Sequence, residues 1–250
     1  MSTIGGPNIT ENGLVLHLDA ANPKSYPGSG NTWYDLSGNS NTTNMSHGEF
    51  ASTHFISVEV PDYASRLEFY TPDSVSLNNA FSPVTGGWQI EEWIKIDDIT
   101  YPESPAGTVV SSAAYSSGGV GFDWNHGNSM GIHRIRMGVG NNVSQPSGYD
   151  VNTDVLIPEG VMDFGKWALR SLFWNRSTNT MGAYVNGVFC GEIDISPVSG
   201  LTLYDGQGIS WGTLYGWRHD GGRAGMKVYN RVLSAEEVAQ NYNATKSRFI

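Results

Sequence analysis

A single cysteine, Cys190, stands in 250 residues, so no intrachain disulfide forms and cysteine-based metal clusters are excluded. Charge is scarce, at 15% of residues, and acidic groups dominate it: 24 Asp and Glu against 14 Lys and Arg, a formal net charge of −10. No Lys/Arg run offsets that balance, which argues against binding to a nucleic-acid backbone or an anionic membrane surface. No apolar run approaches the ~20 residues that span a bilayer. The opening Met1-Ser-Thr-Ile-Gly-Gly-Pro has neither a basic n-region nor an apolar h-region, so no secretory signal is expected. The expected location is a cytoplasm, or a particle released from one by lysis. The six histidines lie far apart, and there is neither a Gly-x-Ser-x-Gly elbow nor a phosphate loop. Six Asn-x-Ser/Thr triplets, from Asn8 to Asn243, read as by-products of an Asn-, Ser- and Thr-rich chain.

What is plentiful is glycine (31 residues) and apolar content (39%), enough for a core in a turn-rich β protein. Leu14, Leu16 and Leu18 alternate with Val15, His17 and Asp19, which predicts a first strand. Residues 1–12, small and polar, are expected to form an arm that contributes little to the core. Ala21–Gly48 reads as loop, anchored by Trp33, Tyr34 and Leu36. Strand-like runs follow at His54–Val60, Leu67–Tyr70, Trp88–Ile96, Thr108–Tyr115, Gly119–Trp124 and Ile132–Val139. Further runs stand at Trp167–Trp174, Ala183–Ile193, Ile209–Leu214 and Met226–Tyr229. Asn186-Gly187 is the strongest hairpin signal, because both residues tolerate positive φ. Behind Met226–Tyr229, Ser234 and Glu237 have capping-box spacing, Leu233 and Val238 staple spacing, and Val238 and Tyr242 lie four apart on one helical face. With neither an internal repeat nor a composition shift, residues 13–250 read as one antiparallel β-sandwich with one short C-terminal helix.

Several of these segments together resemble the LamG-like jelly rolls of the concanavalin A-like lectin/glucanase superfamily. The resemblance is carried by Val228, Tyr229, Asn230, Arg231, Leu233, Ser234, Glu237 and Tyr242, by the Gln89–Lys95 strand, and by Trp167 with Ala183-Tyr-Val-Asn-Gly187. The opening, Gly13–Tyr26 and Pro27–Asn39 with Trp33-Tyr-Asp-Leu-Ser, is similar to LamG-like domains of bacteriophage structural proteins. It implies a non-enzymatic virion protein: a capsid decoration, head-fibre or tail-associated module. Its partners would be other virion proteins and a host surface glycan, with homo-oligomerisation open. The alternatives are a carbohydrate-binding adhesin and a glycoside hydrolase, since this fold hosts all three.

Gly191-Glu-Ile-Asp-Ile-Ser-Pro197 bears on the hydrolase alternative. Glucanases of the superfamily carry Glu-x-Asp-x-x-Glu on one strand, as retaining hydrolysis needs two carboxyl groups about 5 Å apart. Glu192 and Asp194 fit, but Pro197 occupies the third position, so no catalytic residues are expected. Glu92 lies on the apolar face of its strand and is expected to pair with Arg170, because a lone buried carboxylate is costly. No cofactor is required. Calcium, the metal to consider in this superfamily, has weak candidates in Asp123, Asn125 and Asn128, expected in one loop, and in the pair Asp97 and Asp98, but none has calcium-loop spacing. The candidate ligand-binding residues are Trp211, Tyr215, Trp217, Arg218, Asp220 and Asp205, aromatics separated by glycine beside polar groups. Their alternative roles are core packing and protein contact.

Overall fold

The structure is a computed structural model that describes residues 8–56, 58–60, 63–66, 68–70, 86–96, 106–111, 121–129, 132–140, 151–196, 208–211 and 221–250. The first strands are β1 (Leu14–Asp19), β2 (Thr32–Trp33), β3 (Thr43–His47), β4 (Glu49–Phe50), β5 (Phe55–Ile56), β6 (Val58–Val60), β7 (Tyr63–Arg66) and β8 (Glu68–Tyr70). Then come β9 (Gly87–Ile96), β10 (Ala106–Ser111), β11 (Gly121–Ser129), β12 (Ile132–Gly140) and β13 (Val151–Leu156). The last are β14 (Trp167–Asn175), β15 (Thr180–Val185), β16 (Val188–Asp194), β17 (Gly208–Trp211) and β18 (Gly221–Tyr229), followed by helix α1 (Ala235–Thr245).

Two eight-stranded sheets result. The first is ordered β16-β15-β14-β9-β18-β5-β4, with β1 also on β18, and the second β13-β12-β11-β10-β17-β8-β3-β2. Pairings between the described strands are antiparallel. One core cluster joins the sheets, with Trp88, Ile90, Ile94, Leu172 and Val228 from the first meeting Trp33, Ile135, Met137 and Val155 from the second. The fold is a β-sandwich jelly roll with a short C-terminal helix, as expected.

Strand β9 is covered on both faces. Trp88, Ile90, Ile94 and Ile96 enter the shared core, whereas Trp93 joins a separate cluster with Leu169, Ala224, Tyr242 and Phe249. Glu92 shares the core face and is fully buried. Arg170, directly opposite on β14, donates to it through Nε at 2.6 Å and through Nη2, and Arg223 of β18 donates through Nη1 at 2.7 Å. The expected Glu92–Arg170 pair therefore exists, and a second arginine extends it across three strands. Burial is the main influence on Arg223, and its pKa falls to about 10.

The expected capping box is present, with the Ser234 hydroxyl accepting from Glu237 N and the Glu237 carboxylate accepting from Ser234 N. Leu233 and Val238 are buried together as the staple requires. Asn186 and Gly187 adopt φ of 52° and 81° at the β15–β16 turn. β18 starts at Gly221, ahead of the expected Met226. Gly221 has φ of 143°, and a Cβ there would lie 1.9 Å from the Lys95 carbonyl oxygen, so only glycine lets β18 run alongside β9 here.

Two expectations fail locally. Ala21–Gly48 contains β2 and β3 rather than loop alone, and Tyr34 is 47% exposed rather than an anchor. The organiser is Asp35, whose carboxylate accepts from the backbone N–H groups of His17, Ser37 and Asn41 at 2.8–2.9 Å. The Ser37 hydroxyl and the Asn41 amide both donate to the Val15 carbonyl. This segment thus satisfies the edge of β1 that β18 does not, and an edge left bare would be a pairing hazard. Residues 8–12 are also held firmly. Thr10 is buried, its N–H donates to Asn241 at 2.7 Å, and its carbonyl accepts from the Tyr229 hydroxyl at 3.1 Å. A polar strip with no apolar face is anchored by its backbone, which composition does not report.

Two stability outcomes follow from these contacts. Glu92→Ala strands two buried guanidinium groups and is expected to cost about 3–5 kcal/mol in urea unfolding; a loss below ~1 kcal/mol would mean that Glu92 is not their main counter-charge. Deleting residues 1–11 removes Thr10, one partner each of Asn241 and Tyr229, and is expected to cost about 2–3 kcal/mol; an unchanged unfolding midpoint would make this lead-in dispensable.

Candidate functional site

Alternation along β16 sends Ile193 inward and leaves Glu192 and Asp194 exposed at the margin of the first sheet. Glu192 accepts from the Thr180 hydroxyl at 3.3 Å. Asp194 accepts from Ser196 N at 2.8 Å, and hydrogen bonding from Ser196 holds its carboxyl below the usual carboxylate range. A general acid needs the opposite, a carboxyl raised by its surroundings. Glu91 is raised by burial, against the opposing influence of Lys227, but it lies sealed under α1. It accepts there from Asn241 at 2.9 Å, Ser171 at 3.2 Å and Lys227 at 3.4 Å, a structural role.

The other expected candidates are not brought together among the described residues. Asp123 and Asn125 stand on β11, paired on both sides by β10 and β12, and Asn128 stands further along β11, paired with His133 of β12, so the expected loop is regular strand there. An extended, doubly paired segment lacks the turn that wraps a calcium loop around its ion. Among the described residues no group of three His, Cys, Asp or Glu side chains is placed to hold a metal. Trp211 ends β17, opposite Thr108 and Phe69. Tyr215, Trp217, Arg218, Asp220, Asp205, Asp97 and Asp98 lie outside the described residues.

Two features of the first sheet's outer face were not anticipated. Helix α1 and the turn after it cover the middle of that face, where Trp93 stacks on Phe249 at 4.2 Å and its Nε1 donates to the Thr245 hydroxyl. Beside them lies a recess of about 20 Å³, room for a single water, lined by His17, Glu91, Lys227 and Arg248 among others. Burial and the Lys227 charge push His17 down to about 4. Toward the sheet margin the cover thins among the described residues, with Tyr184 still packed against the Tyr229, Leu233 and Val238 cluster. Tyr184 and Phe189, a cross-strand pair, meet there at 5.1 Å, with Phe173 behind them at 6.0 Å from Tyr184. Phe189 is 49% exposed. Burial raises the Tyr184 phenol, as do the nearby charges of Glu192 and Glu236. The signal for this cluster was in the hairpin, where Tyr184 and Phe189 flank the turn at the outward positions while Ala183 and Val185 point inward.

Residues 69–239 match the laminin G family described as the Concanavalin A-like lectin/glucanases superfamily, more than half of the chain. The chain belongs to that superfamily. No curated protein sequence matches it. Among solved structures, the receptor-binding domain of botulinum neurotoxin C/D mosaic serotype superposes on this superfamily member with a TM-score of 0.61 and 15% identity, over 94% of this chain and 52% of that chain. Trypanosoma rangeli sialidase in complex with sialic acid superposes with a TM-score of 0.63 and 15% identity, over 94% and 33%. The binding domain of Paraclostridial Mosquitocidal Protein 1 gives 0.55 and 16%, over 93% and 52%. The chain spans about half or less of each of these chains, and at such identities the likeness is one of fold.

His17 sets a pH response. Its folded pKa lies below the ordinary 6.5, so the unfolded chain takes up a proton that the fold refuses, and stability falls as pH drops from 6.5 toward 4. Glu91, raised, works in the other sense, losing stability as pH climbs above its ordinary value. Asp19, Asp35, Lys227 and Arg248 complete the charges acting on His17 and stay constant in the comparison. Between pH 7 and pH 4.5, wild type is expected to lose up to about 2.5 kcal/mol more than His17→Gln in urea unfolding. Equal losses would show that His17 is not held neutral.

Proposed function

We propose that this chain is a non-enzymatic binding module of a bacteriophage virion, a capsid decoration, head-fibre or tail-associated element that contacts surface glycans. One observation carries the non-enzymatic part: the glucanase-like carboxylates stand on an open strand margin, with Asp194 committed to its own turn and Pro197 at the third position. Retaining hydrolysis requires a raised carboxyl facing a second one across the sugar. The virion part rests on the Gly13–Asn39 opening, whose Asp35, Ser37 and Asn39 side chains help finish the edge of β1. The glycan part is supported by superfamily membership and by neighbours that include a receptor-binding domain and a sialidase bound to sialic acid.

Incubation with laminarin, lichenan, agar and carrageenan is expected to release no reducing ends above a Glu192→Gln control, while a glycan array with the same chain shows binding. Turnover abolished by Glu192→Gln would make the chain a hydrolase and promote Glu192 and Asp194 to catalytic residues. Labelling of purified particles is expected to place the chain on the virion; its absence there with glycan binding retained would favour a free adhesin.

A further inference from the structure

Strand β16 is the edge of the first sheet, yet it is poorly suited to accept another strand. A register shift opposite Ala183 and Tyr184 breaks its ladder. Gly191 sits at the break with φ of 142°, and Val155 of β13 lies over it, where a Cβ on Gly191 would approach to 2.9 Å. A bulged and covered edge is one that resists strand addition. Occupancy of this margin is therefore a matter for its side-chain face.

That face pairs two chemistries. Phe189 and Tyr184 offer ring surface, with Phe173 packed behind and its ring lying where a side chain on Gly182 would be, 2.4 Å from an added Cβ. Alongside stand acceptors: the Glu192 carboxylate, steadied by Thr180, whose own hydroxyl lies 2.8 Å from that of Thr178. Glu236, in the first turn of α1, is near enough for its charge to act on the Tyr184 phenol. Pyranose rings are amphipathic in the matching way, with one C–H face for an aromatic ring and peripheral hydroxyls that donate to carboxylates in charge-assisted bonds. Phe189 is half exposed and Tyr184 is partly buried beside it, so the ring surface on offer is mainly that of Phe189, with Tyr184 as its wall. The charges acting on Tyr184 are both negative, so a carboxylated sugar would be repelled where a neutral one is not.

We propose that the Phe189–Tyr184–Glu192–Thr180 margin of the first sheet is a saccharide subsite selective for neutral pyranosides over acidic ones. This rests on the reading of the chain as a glycan-binding module. It assigns that binding to residues distinct from the glycine-spaced aromatics around Trp217, and it departs in ligand class from the sialic acid held by the sialidase.

The test uses the full chain and saturation-transfer NMR with titration, probing neutral oligosaccharides drawn from the array hits together with the matched pair lactose and 3′-sialyllactose. Neutral sugars are expected to bind, with the sialylated member of the pair at least about fivefold weaker than lactose. Phe189→Ala and Glu192→Gln, both at exposed positions, are each expected to weaken neutral-sugar binding by about tenfold with an unchanged thermal midpoint. Glu192→Gln should also narrow the gap between the paired sugars. If neutral sugars bind and neither variant weakens them while Trp217→Ala does, glycan recognition stands and this subsite falls. Preference for sialyllactose overturns the selectivity. If no sugar on the array binds, the glycan reading itself falls and takes the subsite with it; burial of Phe189 by a second copy or a protein partner would then be its replacement.

Discussion

Two consecutive glutamates on one central strand set the terms for the rest of the molecule. Neighbouring residues of a strand face opposite sides, so Glu91 and Glu92 are driven to different faces of β9, and both are fully buried. Each had to find its own compensation. Inward, Glu92 draws Arg170 and Arg223 from the two flanking strands and locks β14, β9 and β18 across the core. Outward, Glu91 takes Lys227 from β18, Ser171 from β14 and Asn241 from α1. Asn241 in turn binds Thr10 and Tyr229, so the helix and the lead-in strip are tied to the sheet through one carboxylate. Replacing such groups by apolar ones of the same size is often neutral in energy, whereas removing one partner alone is not. Glu91 thus fixes where α1 lies, and Glu92 fixes the three strands beneath it, more than either adds to stability.

That placement decides which part of the outer face is covered and which is open. Helix α1 runs over β9, β14 and β18, with the Trp93, Phe249 and Tyr242 rings between them. The β15–β16 hairpin supports the helix from the side, since the position of Gly187 is within about van der Waals reach of Ala239 and Tyr242. Beyond the hairpin turn Tyr184 packs against the Leu233 and Val238 cluster, whereas Phe189 remains half exposed. A large ring half exposed at such a position forfeits burial worth about 1 kcal/mol. Core packing does not explain its retention there; contact with a ligand would.

Much of this was legible in the chain. The β9 pattern, the hairpin turn, the capping box and the Glu92–Arg170 pair all rest on local spacing or on a single long-range charge argument, and all are present. What escaped was set by backbone geometry. Polar Thr10 is held by its N–H and carbonyl, and β18 begins at glycines whose absence of side chain is the point. Asp123, Asn125 and Asn128 look like turn residues by type but belong to β11, because strand pairing, on both sides for Asp123 and Asn125 and with β12 for Asn128, overrides a weak local preference. Arg223, likewise, sits beside a glycine pair that hid its strand. On the site, the Tyr184 and Phe189 pair was hidden by its own role in the hairpin, since the signal that marked the turn also accounted for the aromatics beside it.

The acidity of the chain links fold and recognition. With 24 acidic groups against 14 basic ones, and with Arg170, Arg223 and Lys227 buried, the core withdraws cations that might otherwise have reached the surface. Among the described residues two acids, Glu91 and Glu92, are buried as their partners. The margin at Glu192, Asp194 and Glu236 keeps its own acidic groups exposed. A surface of that sign sets a repulsive element against acidic ligands without any dedicated contact, which is how specificity is obtained when attraction is modest. The repulsion that Glu192, Asp194 and Glu236 would exert on an acidic ligand is the physical basis of the proposed preference for uncharged sugars, and it belongs to this outer margin rather than to the fold that the chain shares with its superfamily.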